Sequence, residues 1–140
     1  MSDYIVDASV ACKWLWNEEF TEESDLLLKG GHHLFAPDLF VTELHSAILK
    51  RVRWNDLDPK DADGCRRQLR TLPIQYHKTP PLADAAYELT RRAGVSFYDG
   101  LYLALAVLND MKVVTADRKF YNSLSKGPLR KYICWIGKVA

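Results

Sequence analysis

Cysteine is scarce in this chain: three in 140 residues, Cys12, Cys65 and Cys134, far apart and without a C-x-x-C pair. An odd, scattered set argues against a disulfide framework and against a zinc module, and reads as the reduced thiols of a cytoplasmic protein. Long apolar runs are missing too. The longest, LYLALAVL from Leu101 to Leu108, is too short to span a bilayer, and the opening MSDYIVD lacks the basic and apolar regions of an export signal. A protein with no membrane contact is expected. Neither sign of charge dominates: 19 Lys and Arg face 18 Asp and Glu, a balance that neither marks nor excludes a nucleic-acid binder, because patches matter more than sums. There is no internal repeat, no low-complexity tract and no long linker. With 48% apolar residues, the expected organisation is a single domain over residues 1–140.

What is present is alternation. Short runs rich in β-branched and aromatic residues predict strands at Tyr4 to Val6, His33 to Ala36, Pro73 to His77 (the weakest), Lys112 to Thr115 and Tyr132 to Ile136. Between them lie segments of helical period with recognisable ends. Thr21 can cap a helix that stops at Gly30-Gly31, Pro37 can open the helix DLFVTELHSAILKRVR, and Asp58-Pro59 starts another, with Asp61 placed for a capping box. A helix from Pro81 ends at Gly94, and Ser96 opens the next. Strands separated by helices require crossovers, and crossovers give parallel strands with helices on both faces. The expected fold class is therefore α/β, with a five-stranded, mostly parallel sheet.

Ligands of such sheets bind beyond the carboxyl ends of the strands, where strand order reverses. Asp7 and Asp117 each follow the end of a predicted strand, and Asp99 lies in the first turn of a helix starting on the same side. Glu43 lies beside the apolar stripe Phe40, Leu44, Ala47, Ile48 of its helix, with no Lys or Arg at local pairing distance. Each acid has an ordinary reading of its own: Asp7 as an N-cap, Asp99 as part of the capping box SFYD, Asp117 as a turn residue, Glu43 as a side chain snorkelling to water. Taken together, those readings require four coincidences on one sheet edge.

Crowding the acids is costly. Two carboxylates about 6 Å apart repel by roughly 3 kcal/mol at an effective dielectric of about 20, and a divalent cation relieves that better than protonation does. With no His and Cys set nearby and only oxygen ligands, Mg²⁺ or Mn²⁺ fits and zinc does not. Mg²⁺ in an incomplete cage keeps waters and accepts phosphate oxygens, so the expected substrate is a phosphate ester.

The segments YIVDASVACKWLWNEE, APDLFVTELHSAI, SFYDGLYLALA and VVTADRKF, in this order, resemble the four acidic motifs of the PIN-domain nucleases. The first closely resembles the VapC-type toxins of toxin–antitoxin pairs, and the likeness runs from about Tyr4 to the strand near Trp135. It implies a sheet of order 3-2-1-4-5 and Asp7, Glu43, Asp99 and Asp117 as catalytic, metal-binding acids, with Ser9 and Thr115 as hydroxyl neighbours that orient carboxylates or waters. It also implies a Mg²⁺- or Mn²⁺-dependent endoribonuclease acting on RNA, a homodimer, and a VapB-like antitoxin that covers the cleft. Two positions depart from the family pattern: Ser46 stands where many VapC-like chains have Asn, and Gly100 replaces the commoner Ala after the third acid.

RNA also needs cations and stacking surfaces. Arg118 and Lys119, directly after the fourth acid, are the best placed for substrate contact; Lys50, Arg51, Arg53 with Trp54, and Arg66, Arg67, Arg70, are equally readable as solvated helix ends. Trp14, Trp16 and Trp135 read as core or dimer surface, and His32 and His33 as a solvated pair away from the acids. Ser9 has no His in a triad arrangement, which disfavours a hydroxyl nucleophile. A phosphatase of the haloacid-dehalogenase kind would need an acid where Ser9 stands, and a ribonuclease H-like fold would need an opening meander of hairpins. A PIN-like module that only binds RNA or protein would be expected to have lost an acid.

Overall fold

The computed structural model describes residues 2–139. Five strands, β1 (Asp3–Val6), β2 (His33–Pro37), β3 (Ile74–His77), β4 (Lys112–Thr115) and β5 (Ile133–Trp135), form one sheet of order β3-β2-β1-β4-β5. All four pairings are parallel, so the expected class and order hold. The central strand carries the driest residues: Ile5 lies between Phe35 and Val113, and Val6 opposite Val114, with Ile5, Val6, Val113 and Val114 all fully buried. Such a strand reads as a continuous apolar run because helices cover both of its faces.

The helices are α1 (Ala8–Leu15), α2 (Thr21–Lys29), α3 (Leu39–Arg53), α4 (Pro59–Arg70), α5 (Ala83–Ala93), α6 (Phe97–Asn109) and α7 (Arg118–Leu124). Among the described residues none is long and apolar enough to cross a membrane. Helix α6 is the most deeply placed, with every residue from Gly100 to Ala106 buried. That is why its sequence is apolar all round rather than striped. Helix α3 buries Phe40, Leu44 and Ile48, a 3.6-residue stripe.

Three helix starts differ from the sequence reading, each for a local reason. Pro37 ends β2 rather than opening α3, because the strand ladder continues to its pairing with His77. The next residue, Asp38, instead joins strand ends: its amide donates to His77 O at 2.8 Å and its Oδ1 accepts from the Thr79 amide at 3.2 Å. Thr21 is the first residue of α2 rather than its cap; Phe20 holds the cap position at φ 67°, and the Thr21 hydroxyl accepts from the Glu18 amide at 2.8 Å. The helix after Pro81 begins as a single 3-10 turn, Pro80–Leu82, and becomes α5 only at Ala83. The Asp58 cap holds as expected, accepting from the Lys60 amide at 2.8 Å with Pro59 at the first helical position. Gly94, at φ 70°, closes α5 in the left-handed conformation that glycine adopts without penalty.

Candidate active site

The sheet reverses direction between β1 and β4: from β1 the chain moves outward to β2 and β3, then returns to β4 on the other side. That junction is the crevice where α/β sheets place ligands. Asp7 stands at its lip. Its amide donates to Val114 O at 3.0 Å, continuing the β1–β4 ladder by one residue, and the chain then turns into α1. Asp7 occupies the N-cap position of α1 yet makes no side-chain capping bond. Its Oδ2 accepts from the Ser9 hydroxyl at 2.8 Å and from the Thr115 hydroxyl at 2.8 Å. The ordinary reading of Asp7 as a helix cap therefore fails: its carboxylate faces β4.

Thr115, fully buried at the end of β4, is the hub of this network. Its Oγ1 accepts from the Asp117 amide at 3.0 Å, while Ser9 Oγ accepts from the Ala116 amide at 3.0 Å. Two hydroxyls thus lock the turn after β4 to the turn after β1. Asp117 then caps α7, with its Oδ1 accepting from the amides of Lys119 (2.9 Å) and Phe120 (3.2 Å). Here the structural reading of the acid is correct for one oxygen, which fixes the direction of the carboxylate.

Asp99 lies in the first turn of α6, where Ser96 Oγ accepts from its amide at 3.1 Å. Glu43, half-buried on α3, accepts at Oε1 from the Tyr102 hydroxyl at 2.7 Å. That phenol is the partner which the lack of local cations demanded. Tyr102 did not stand out in the sequence, although a tyrosine within LYLALAVL, three residues after Asp99, had to find a partner for its hydroxyl once buried.

The electrostatics tie the four acids together. Burial is the main cause lifting the Asp7 carboxyl above its ordinary range, the Thr115 and Ser9 hydroxyls oppose it, and the charge of Asp117 adds to it. Glu43 is raised by burial and by Asp7, against the Tyr102 bond. Asp99 is pushed up to about 7, first by burial and then by the charges of Asp7, Asp117 and Glu43. Asp99 thus feels the charge of all three other acids, and Glu43 feels that of Asp7. None of the four forms an ion pair among the described residues.

As the side chains stand, no three His, Cys, Asp or Glu residues among those described close around a single point as a ligand set. The acids share a field rather than a closed cage. The donor set is all oxygen, its charge is uncompensated, and each of Asp7, Glu43 and Asp99 is made harder to ionise, which fits a hard divalent cation and not zinc.

Of the expected substrate contacts, Lys119 joins Asp99, Ser96 and Ser123 around a cavity of about 250 Å³. Arg118 sits elsewhere, its guanidinium 4.6 Å above the buried Trp135 ring. Arg51 is committed as well, to Glu18 at 2.7 Å and to the face of Trp16 at 4.0 Å. Trp14 is core, donating from Nε1 to Ser24 O at 2.7 Å.

The position of Gly100 also has a physical cause. A Cβ there would overlap the Thr90 hydroxyl of α5 and approach Ala86 O to 3.0 Å. The departure from Ala is thus a close helix contact that positions Asp99 beside it.

Comparison with known proteins matches the PIN domain over residues 4–123. The chain belongs to the PIN domain family. Among its PIN relatives, Ribonuclease VapC3 of Pyrobaculum aerophilum is 26% identical over 117 residues, 82% of this chain and 89% of that protein. A solved Pyrobaculum aerophilum protein superposes with TM-score 0.72 at 22% identity, over 97% of this chain and 90% of the other. A chain of a toxin–antitoxin complex from Klebsiella pneumoniae does so with TM-score 0.65 at 10% identity, over 97% and 99%. At such identities the two structures speak for the PIN fold alone.

Proposed function

We propose that this PIN chain, one domain over residues 1–140, is a divalent-metal-dependent endoribonuclease that hydrolyses RNA phosphodiesters, the toxin of a VapBC-type pair acting in the cytoplasm. The observation that carries this reading is the cluster of four acids at the sheet's reversal point, none in an ion pair among the described residues, with Asp7, Glu43 and Asp99 raised in pKa by burial and by neighbouring carboxylates. A fold does not keep such a cluster for stability. The name of the VapC3 relative supports ribonuclease activity, and the toxin–antitoxin complex supports a VapB-like partner; a homodimer follows from the family resemblance.

Asp7, Glu43, Asp99 and Asp117 would hold Mg²⁺ or Mn²⁺, Asp7 with Asp117 on one side and Glu43 with Asp99 on the other. A bound divalent ion supplies a hydroxide near neutral pH and charge stabilisation for attacking and leaving oxygens. The chain's own groups do the positioning. Ser9 and Thr115 hold Asp7 Oδ2 and would leave the other oxygen of that carboxylate for the ion. The α7 amides hold Asp117 Oδ1 in the same way. Asp99, in the first turn of α6 beside the cavity that Lys119 lines, would position the attacking water. Lys119, facing the cavity beside Asp99, is the cation placed to meet a scissile or neighbouring phosphate; Arg118, stacked on Trp135, contributes from the rim.

The test is cleavage of a total RNA pool with Mg²⁺ or Mn²⁺ and with EDTA, followed by end mapping. Discrete ends that vanish with EDTA and with Asp99→Asn are expected. Intact RNA under every condition, from a protein that titrates no Mn²⁺, would leave a PIN module that only binds.

A further inference from the structure

Three of the four acids are each oriented by something obvious: two hydroxyls on Asp7, two amides on Asp117, and the first helical turn around Asp99. Glu43 has the longest and freest side chain, and its one hydrogen bond among the described residues comes from Tyr102. Tyr102 is fully buried, within the run Gly100 to Ala106, every residue of which is buried. Such a ring does not move without the core moving with it.

The phenol oxygen is surrounded by the site. It donates across helices to Glu43 Oε1 at 2.7 Å, and it is approached by the Ala8 amide, which also faces the Asp7 carboxylate. Asp99 lies three residues earlier on α6, the spacing that places two side chains on one helix face. One hydroxyl therefore lies among groups from α3, from the start of α1 and from α6. It takes up Oε1 and leaves Oε2 to point elsewhere.

We infer that Tyr102 is a positioning residue of the acid cluster, a buried hydroxyl that aims the Glu43 carboxylate at the divalent cation, as Ser9 and Thr115 aim Asp7. The inference rests on the metal-dependent reading above and assigns a part in it to a residue outside the four acids. Groups that hydrogen-bond metal-ligating carboxylates set metal affinity through orientation, and their loss costs about 10- to 100-fold.

Two measurements separate positioning from mere packing. The first is calorimetric titration of Mn²⁺ into RNA-free wild type, Tyr102→Phe, Glu43→Gln and the double variant, each checked for fold by circular dichroism. Phenylalanine keeps the ring and removes only the hydroxyl. Tyr102→Phe should bind Mn²⁺ about tenfold more weakly or worse, and the double variant no more weakly than Glu43→Gln, since the hydroxyl acts only through that carboxylate. Unchanged affinity in Tyr102→Phe, or losses that add in the double variant, overturns the inference. The second needs no variant of Tyr102. The tyrosine ring carbon that bears the hydroxyl, followed by NMR in the wild type and assigned by its displacement in Glu43→Gln, should shift as Mg²⁺ saturates. A resonance indifferent to Mg²⁺ overturns the inference just as surely. If the wild type binds metal and cleaves RNA while Tyr102→Phe matches it, only the role of Tyr102 falls. If the wild type binds no metal, the ribonuclease reading falls with it.

Discussion

At the amino edge of the sheet, Asp3 and His33 meet across the starts of β1 and β2 at 3.1 Å, with more than half of each side chain in water. At the carboxyl edge, four residues further along the same strand direction, Asp7 is 5% exposed and faces two hydroxyls and three other acids, with no cation paired to any of the four among the described residues. The acids of the first region are paired or hydrated and cost the fold little. Those of the second are desolvated and mutually repelling, a state that is tolerated when something else bound there takes up the charge. On the function proposed above, the difference separates an acid held for structure from acids held for chemistry, and it can be broken by experiment.

The largest effect is expected on cleavage. Asp7→Asn keeps the shape and the Thr115 and Ser9 contacts while removing a ligand charge, and should cost several kcal/mol of transition-state stabilisation, about a thousandfold or more in rate. The measurement is RNA cleavage under saturating Mn²⁺ beside a thermal melt. Retained cleavage would place the chemistry elsewhere. The melting temperature should hold or rise, since a buried unpaired charge has been removed.

The next effect concerns pH. The ordinary Asp99 value of 3.8 becomes about 7 in the fold. Between those values the folded chain keeps a proton that the unfolded chain has released, so stability falls as pH climbs from about 4 to about 7 and levels off above. At roughly 1.4 kcal/mol per pKa unit the change is a few kcal/mol at most, lessened because Asp99 is partly in water. Urea midpoints with EDTA at about pH 5 and about pH 8 should show the protein more stable at the lower pH. Asp99→Asn should flatten that slope, and Mn²⁺ should restore stability at the higher pH. A chelated protein more stable at pH 8 would contradict the electrostatic picture.

How far the chain could be read beforehand follows from the same contrast. Strands β1 and β4 are legible because both are short and β-branched and an acid follows each within two residues; helices between the strands imply parallel pairing, while the strand order comes only with the family resemblance. The acids were legible as residues without partners. Thr115 and Ser9 could be named only through family resemblance, since nothing in their spacing says that hydroxyls 106 residues apart approach to 3.4 Å. Nothing local marks Tyr102: its hydroxyl bonds a residue 59 positions away, and within its own helix it looks like one more core aromatic. Position alone puts Arg118 at the rim, and nothing local announces that its guanidinium stacks on Trp135 of β5. The failed helix starts share one cause, because capping propensity is local while Pro37 and Asp38 answer to β3 across the sheet.

Gly100 tests whether the close packing under Asp99 is structural or incidental. Intrinsic helix propensity says that Gly100→Ala should stabilise by up to about 1 kcal/mol. The Thr90 hydroxyl and Ala86 carbonyl stand where the new methyl would go, and overpacking of this kind costs about 1–3 kcal/mol. Net destabilisation of about 1 kcal/mol is expected by urea unfolding, and Gly100→Ala with Thr90→Ala, which removes the overlapping hydroxyl, should recover part of it. A stabilised single variant would mean that α5 and α6 separate easily.

The smallest effect lies at the opposite edge and gives the comparison its scale. Asp3→Asn removes the exposed partner of His33. Such pairs are worth about 0–1 kcal/mol, and less as salt rises. The urea midpoint should move by little more than the error, and Mn²⁺ affinity and cleavage should stay at wild-type values. An Asp3→Asn effect on metal binding as large as that of Asp7→Asn would show that charge anywhere on this chain, rather than charge converging at the β1–β4 junction, governs the ion, and the distinction between the two edges would be lost.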